Sequence, residues 1–400
     1  MKKPHVLIVG GWNEILQKAA ALPIMTSFFQ KAELLTDLQV NLAQHISVFD
    51  YGNAEAAVGQ AMLLHRARPF DAVVSFTEYG LEPAAQIRER LGLRGNPMAP
   101  VALTRDKVKM RSFMNAAGFT PVQFQVCHSA AEARAFRERV GAPIILKPVL
   151  GSGSEGIAYV DDPADLAQGW AWASGTEGGQ VLAEEFLDGP EYSVEALTLS
   201  GVHQVLAVTE KATTGHPHFI ETGHRMPTPL PPVTREQVAR YIDDFLRLIG
   251  HEVGPSHTEI RLTSRGPRII ESHTRAGGDR IWEMVELTTG VDMITATLRN
   301  LLLVDTVVEP TAPRAAAIRF FCPGPGVIRR VDGLAEAAAM PGIVRAFCRA
   351  KPGTRVEPLA SSDSRLGYML AVGNTRAEAD ACLENAWPLV HIHVEQEGEK

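Results

Sequence analysis

Short apolar runs alternate with amphipathic stretches through the first hundred residues. HVLIVGG (5–11) reads as a buried strand ending in a glycine turn, and FDAVVSF (70–76) as a second strand. LEPAAQIRERL (81–91) follows with helical spacing. Strands alternating with helices predict a small parallel α/β unit, closed near residue 100 by Gly92, Gly95 and Pro97. A helix is expected next, with Thr104 as its N-cap and Met110, Phe113, Met114 and Ala117 as its apolar stripe. Gly118 and Pro121 end it. Another is expected over 130–140, where Ser129 and Glu132 have capping-box spacing and Gly141 is the stop.

From there the period shortens towards two. APIILKP (142–148), IAYV (157–160) and VLAEEFL (181–187) read as strands, with a helix near 163–173. Glu191–Leu199 and Val202–Thr209 read as a hairpin turning at Ser200-Gly201. A polar, proline-rich stretch from Thr213 to Pro232 reads as a long loop, of the kind that is often functional. A helix over 235–249 leads into strands at 256–262 and 267–273. The last hundred residues mix strands (AAAIRFF, YMLAV, VHIHV) with helices near 334–339 and 376–386, and look like a separate α+β unit.

Composition narrows the function classes. A formal charge of -7 over 400 residues, with no basic block, argues against nucleic acid as a partner. The 4 cysteines lie far apart with no CxxC, as for thiols in a reducing compartment. The first apolar run, VLIVGGW, is too short for a signal peptide, and no run reaches the roughly 20 apolar residues of a membrane span. The cytoplasm is the expected compartment, with no membrane partner.

Two constellations carry chemistry. The first is Lys147-Pro148 followed by GSGSEG (151–156). Small residues let backbone N–H groups approach phosphate oxygens, and the lysine adds a compact positive charge. The loop matches Gly-x-Gly-x-x-Gly, but a dinucleotide site needs a helix after the third glycine, and IAYV reads as a strand. No Gly-Lys pair exists, which excludes a Walker A loop. The second constellation is the strand pair around Ser264-Arg265-Gly266. A turn centred on Arg265 places Glu259 opposite Glu271, with His273 on the face of Glu271. Facing carboxylates repel unless a cation joins them, and Mg²⁺ suits oxygen ligands. Arg275, Gly277 and Gly278 follow at once; a guanidinium there suits a transferring phosphoryl group. His216 and His218 have no acidic or thiol partner nearby and read as an ordinary pair, as do His391 and His393 on a terminal strand. Trp170 and Trp172 read as helix packing.

These pieces, in this order, resemble the ATP-grasp superfamily over nearly the whole chain. The resemblance implies a Rossmann-like pre-ATP-grasp domain (1–100), an ATP-grasp domain (101–305, its glycine-rich hairpin subdomain within 101–210) and a C-terminal α+β lid domain (306–400). It implies that Lys107 and Lys147 bind ATP with Gly151, Ser152, Gly153, Ser154 and Gly156. Glu184, Phe186 and Leu187 would line the adenine, and Glu191 would hold the ribose. Glu259, Glu271 and His273 would form the metal site, for one or two Mg²⁺ ions or for Mn²⁺. His273 stands where the Glu-x-Asn-x-Arg signature has asparagine, so the amide oxygen for a second ion is missing.

Within the superfamily the chain most resembles the amino-acid (dipeptide) ligases, the group typified by bacilysin synthetase. FIETGHRMPTPLP (219–231) would be the substrate region, with Glu221 facing an amine and His224 the substrate or the reacting carboxylate. RLGYMLAVGNTRAEADACLENA (365–386) resembles the C-terminal lid of biotin carboxylase and its relatives. The implied function is an ATP-dependent carboxylate–amine ligase working through an acyl phosphate, with Arg275, Lys147, Glu221 and His224 as catalytic residues. Its substrates would be small carboxylates and amines, amino acids above all, and a homodimer is suggested. The alternatives are a carboxylase-like or formyl/carboxy-phosphate enzyme on the same fold, or an ATP-binding regulator without turnover.

Overall fold

The computed structural model describes residues 3–149, 153–175, 180–302 and 314–396. Strands β1 (His5–Val9), β2 (Met25–Gln30), β3 (His45–Val48) and β4 (Ala72–Val74) form a parallel sheet in the order β3-β2-β1-β4. Every residue of β1 is buried, because helices cover both faces. Leu7 and Val9 pack with Phe29, Ala57 and Ile87 on one face. Val6 and Ile8 face the other way and join Phe28, Trp282, Met284 and Ile294, which ties this sheet to the rest of the molecule.

The helix expected at 81–91 starts earlier, at Glu78, and ends on left-handed Gly92. Thr104 is not a cap. It lies inside the helix Met98–Arg105 and its hydroxyl donates to the Pro100 carbonyl at 2.9 Å. The capping residue is Asp106, whose carboxylate accepts from the Lys109 N–H at 2.9 Å and opens the helix Lys107–Ala116. Met110 and Met114 are buried but Phe113 is exposed. The buried face has rotated towards Arg111, which is drawn inside by Glu184 and by the Ile269 carbonyl. At the helix Ala130–Val140, Ser129 caps as expected. Glu132 accepts from His128 N–H at 2.9 Å, one residue upstream of the expected reciprocal bond.

A second, antiparallel sheet contains β5 (Phe124–Cys127), β6 (Ile144–Pro148), β7 (Ala158–Val160) and β8 (Val181–Glu185), ordered β5-β8-β6-β7. After Gly156 the chain enters β7, a strand and not a helix. The core of this unit lies between the sheet and the helices Ala130–Val140 and Leu166–Ser174, and includes Phe136, Ile144, Leu146 and Val160.

The third sheet has eight strands, ordered β13-β12-β9-β10-β11-β14-β18-β16. They are β9 (Glu191–Leu199), β10 (Val202–Thr213), β11 (Glu221–Met226), β12 (Gly254–Thr263), β13 (Gly266–His273), β14 (Ala315–Phe321), β16 (Ile343–Cys348) and β18 (Gly367–Gly373). The expected long loop at 213–232 therefore contains a strand, β11, in the middle of the sheet. The C-terminal strands are also not a sheet apart, because β14 pairs with β11 and extends the same layer. Among the described residues only β15 (Gly326–Asp332), β17 (Arg355–Val356) and β19 (His391–Glu395) of the C-terminal part form a separate small sheet, β17-β15-β19. The helix Pro232–Ile249, opened by a proline suited to a first turn, seals one face with Val238, Ile242, Phe245 and Leu246. Each such side chain contributes roughly 1.5–3 kcal/mol on burial.

The β12–β13 hairpin turns over two residues, Ser264 and Arg265, since Thr263 pairs with Gly266. That register alone would set Glu259 opposite Ile270. A bulge between Glu259 and Ile260 shifts it, so Glu259 faces Glu271 after all.

Candidate active site

Between the β5-β8-β6-β7 sheet and the eight-stranded sheet lies a cavity. Lys107 and Lys147 line it together with Gly153, Ser154, Phe186, Leu187, Glu191, Glu221, Glu259 and Glu271. Gly151 and Ser152 lie outside the described residues. Gly156 turns the chain at φ +70° just before β7.

Glu184 also borders the cavity, but its carboxylate is held by two cations, with Arg111 Nε at 2.7 Å and Lys147 Nζ at 2.5 Å. Burial opposes its charge, yet Arg111 and Lys147 outweigh burial and hold it at about 2. Glu184 thus fixes the ammonium of Lys147 at the inner wall of the cavity. Phe186 stacks at 20° on Phe219, ring centroids 6.5 Å apart, and the Arg261 guanidinium lies 4.8 Å from one ring and 5.3 Å from the other. Phe186, Phe219 and Leu187 make the apolar end of the cavity, beside the Arg261 guanidinium.

Glu259 and Glu271 stand directly opposite each other across β12 and β13. Burial pushes both carboxyls up. Lys211 and His257 hold Glu259 at about 2 against the repulsion of Glu271. Lys107, whose Nζ is 3.7 Å away, and His273 hold Glu271 well below its usual range. The expected trio of metal ligands does not form. Among the described residues no three His, Cys, Asp or Glu side chains gather in a metal-ligating group. His273 sits between two carboxylates, Nδ1 3.0 Å from Glu78 and Nε2 3.3 Å from Glu271. Arg275 is likewise held by Glu78, at 2.7 Å from Nε, and neither residue lines the cavity. The carboxylate pair remains as the oxygen donor set.

Sequence reading missed Lys211. Its side chain, 3% exposed, lies 2.8 Å from Glu191, 3.2 Å from Glu221 and 2.7 Å from Glu259. Burial works against its charge, but the three carboxylates raise its pKa well above the usual lysine value. The strand was expected to stop at Thr209, which left Lys211 among the unassigned residues before the long loop. Its cross-strand partner is His224, so the two project from one face of the sheet.

Glu221 ends the cavity on the far side. Ser154 of the glycine-rich loop lies 3.3 Å from both its carboxylate oxygens, and Ser362 from the C-terminal part donates to it at 2.5 Å. The Ser362 N–H also bonds to the Gly153 carbonyl at 2.9 Å. His224 is buried beside this cluster, its Nε2 2.9 Å from Asp279. Asp279 and Arg365 had no signal in sequence beyond their positions near Gly277-Gly278 and before Gly367.

His216 packs on Tyr159 at 4.1 Å and His218 on Trp172 at 4.3 Å, so both serve as packing groups of the hairpin unit. His391 and His393 are exposed. No helix among the described residues is long and apolar enough to cross a membrane.

Comparison with known proteins matches all three parts of the chain. An ATP-grasp N-terminal domain matches residues 16–95, an ATP-grasp domain residues 140–283, and L-amino acid ligase C-terminal domain 2 residues 319–395. An uncharacterized protein, y4rH, of Sinorhizobium fredii is 27% identical over 84% of this chain and 71% of its own. The alanine–anticapsin ligase of Bacillus subtilis is 28% identical over 56% of this chain, which spans about half (52%) of that protein. The crystal structure of an L-amino acid ligase from Bacillus licheniformis superposes with a TM-score of 0.83 at 25% identity, covering 99% of this chain and 100% of that one. With its three parts matched in order and its fold shared end to end, the chain belongs to the L-amino acid ligase family of the ATP-grasp superfamily, the ATP-dependent carboxylate–amine ligases.

Proposed function

We propose that this ligase activates an amino-acid carboxylate with ATP and passes the acyl group to the amine of a second amino acid, giving a dipeptide. One observation carries the reading: three lysines, Lys107, Lys147 and Lys211, and two facing carboxylates line a single cavity between two sheets, with Glu221 at its far end. Lys107 and Lys147 are placed to bind the triphosphate. Phe186, Leu187 and Phe219 offer flat apolar surface to the base, and Glu191 a carboxylate to the ribose.

Glu259 and Glu271 fit Mg²⁺: they are partly buried, ionised, oxygen-only donors whose mutual repulsion a divalent cation relieves. When bound, Mg²⁺ neutralises charge on the phosphates. His273 is not counted among its ligands, because its ring nitrogens face Glu78 and Glu271 and an imidazole suits Mg²⁺ poorly. The substrate carboxylate attacks the γ-phosphate in line, with the lysine ammonium groups meeting the spreading charge. Ser154 and Ser362 close the chamber around Glu221, which keeps water from the acyl phosphate. The carboxylate of Glu221 is suited to an ammonium group. No side-chain nucleophile is needed.

A matrix of amino-acid pairs assayed for phosphate release, with product masses, tests the reading. Phosphate release that requires two amino acids and yields their condensation mass is the expected result. Release that depends on bicarbonate and needs no amine would overturn it in favour of a carboxylase.

A further inference from the structure

Arg88 stands on the inward stripe of the helix Glu78–Leu91, with Leu81, Ala84 and Ala85 at the i, i+3, i+4, i+7 spacing, and it is 6% exposed. A buried charge is normally met by an opposite one. Arg88 makes no ion pair with any acid among the described residues. Its Nη1 donates at 3.0 Å to the carbonyl of Val73 on β4, the edge strand of the parallel sheet, and its Nη2 at 2.9 Å to the Asn96 carbonyl. Two carbonyls satisfy two donors but supply no countercharge. Nε is buried without a hydrogen-bond partner among the described residues. Burial pushes this guanidinium down to about 10, and the adjacent Glu89 opposes that only in part.

Arg88 lines a small cavity of about 20 Å³ between β4 and the start of β12, room for about one water-sized species. Thr274, just past the end of β13, lines the same cavity. It is 4% exposed, and its hydroxyl also has no partner among the described residues. Two buried, unpartnered donors therefore border one cavity, and Phe76, Leu81, Val101 and Leu301 supply apolar wall. The Ser75 hydroxyl, also on the wall, is already used by the Val9 carbonyl at 2.7 Å. Gly95 makes room for the guanidinium: its φ is +145°, and a Cβ there would lie 2.5 Å from Arg88 Cδ and 2.7 Å from Nε. Asn96 closes the seam, its Oδ1 accepting from the N–H groups of Glu252 and Val253 at 2.8 and 2.9 Å.

A site with a fixed positive charge and spare donors repels a metal ion and suits an anion. Its size excludes sulfate, phosphate and bicarbonate, and its apolar walls suit an ion that gives up water easily. A water molecule would meet the donors but leave the charge uncompensated. We propose that this cavity binds one small monovalent anion, chloride, between Arg88 Nε–H and the Thr274 hydroxyl, and that the anion joins the N-terminal parallel sheet to the central sheet. Neither residue lines the nucleotide cavity, so the site is separate from it. The two are linked through one helix: Arg88 lies near its end, and Glu78, its first residue, holds His273 and Arg275 on either side of Thr274.

Bromide tests this, because it replaces chloride and scatters anomalously. Crystals of the full-length wild type grown in potassium bromide should show an anomalous peak within hydrogen-bond reach of Arg88 Nε and Thr274 Oγ1, a readout that needs no variant to fold. In solution, chloride or bromide should raise the thermal midpoint by about 2 °C or more over potassium gluconate at equal ionic strength, since gluconate is too large to enter, and the gain should saturate with concentration. Thr274→Val, which keeps the shape and removes the hydroxyl, should lose most of that gain. A water at the site with no bromide signal overturns the inference, as does a full halide gain in folded Thr274→Val. A bromide peak with equal midpoints in chloride and gluconate means an adventitious ion only, and overturns it too.

Discussion

Lys211 holds together the carboxylates on which the rest of the cavity depends. Removing its charge leaves buried Glu221 and partly buried Glu191 and Glu259 without their shared cation. Breaking such a group from one side costs about 3–5 kcal/mol. Lys211→Met should therefore lower the urea midpoint strongly, and Mg²⁺ should restore part of the loss by screening Glu259. An unchanged midpoint would mean that the three acids do not need the ammonium. Glu271→Gln asks a different question, because it keeps the shape and removes one charge from the facing pair. It should cut kcat/KM by about a hundredfold or more while leaving the far-ultraviolet circular dichroism unchanged; full turnover would contradict the metal assignment. Lys147, Glu259 and Glu271 were legible because each breaks the apolar alternation of a strand. Lys211 does the same, but only once β10 is seen to run to Thr213. Asp279 meets His224 across 55 residues and Arg365 meets Asp279 across 86, only through long-range folding, and no local pattern marks them.

At the scale of elements, backbone sterics decide more than side-chain pattern. Gly189 sits at φ +85°, and a Cβ there would lie 2.1 Å from the Leu262 carbonyl oxygen. This close crossing lets the chain pass from Leu187 into β9 beside the tip of β12. Gly189→Ala combines a left-handed penalty with a backbone clash and should destabilise by roughly 2–4 kcal/mol, lowering the thermal midpoint and weakening nucleotide binding together. A midpoint within a degree of wild type would show that β9 and β12 can part there. β1 and β4 of the parallel sheet, β6, β7 and β8 of the second sheet and the β12–β13 pair were readable from period and punctuation, whereas β2, β3 and β5 were not. The facing of Glu259 and Glu271 was foreseen on a three-residue turn, whereas a two-residue turn plus a bulge produces it. Bulges leave no composition signature, so the register was reached by an incorrect local route. β11 was unreadable because prolines and glycines surround its six residues.

The whole molecule also responds to pH through groups far from the cavity. Burial pushes His251 down to about 4, and its Nε2 donates to the Gly254 carbonyl at 3.1 Å. The unfolded chain takes up that proton near the ordinary histidine value, about 6.5, before the folded one does. Stability should therefore fall as pH drops from about 6.5 towards 4, by at most about 1.4 kcal/mol per unit from this group. Urea midpoints between pH 7 and 5 check the slope, and His251→Asn should flatten it; equal slopes would mean that the ring protonates in place. One further consequence comes from the pairing of β11 with β14. Because the C-terminal hundred residues continue the central layer, a chain cut short before Ala315 would bare the flank of β11, a row of amide donors and acceptors with nothing to meet them. Such a naked edge recruits strands from other molecules, so the fragment would clump instead of working as a smaller enzyme.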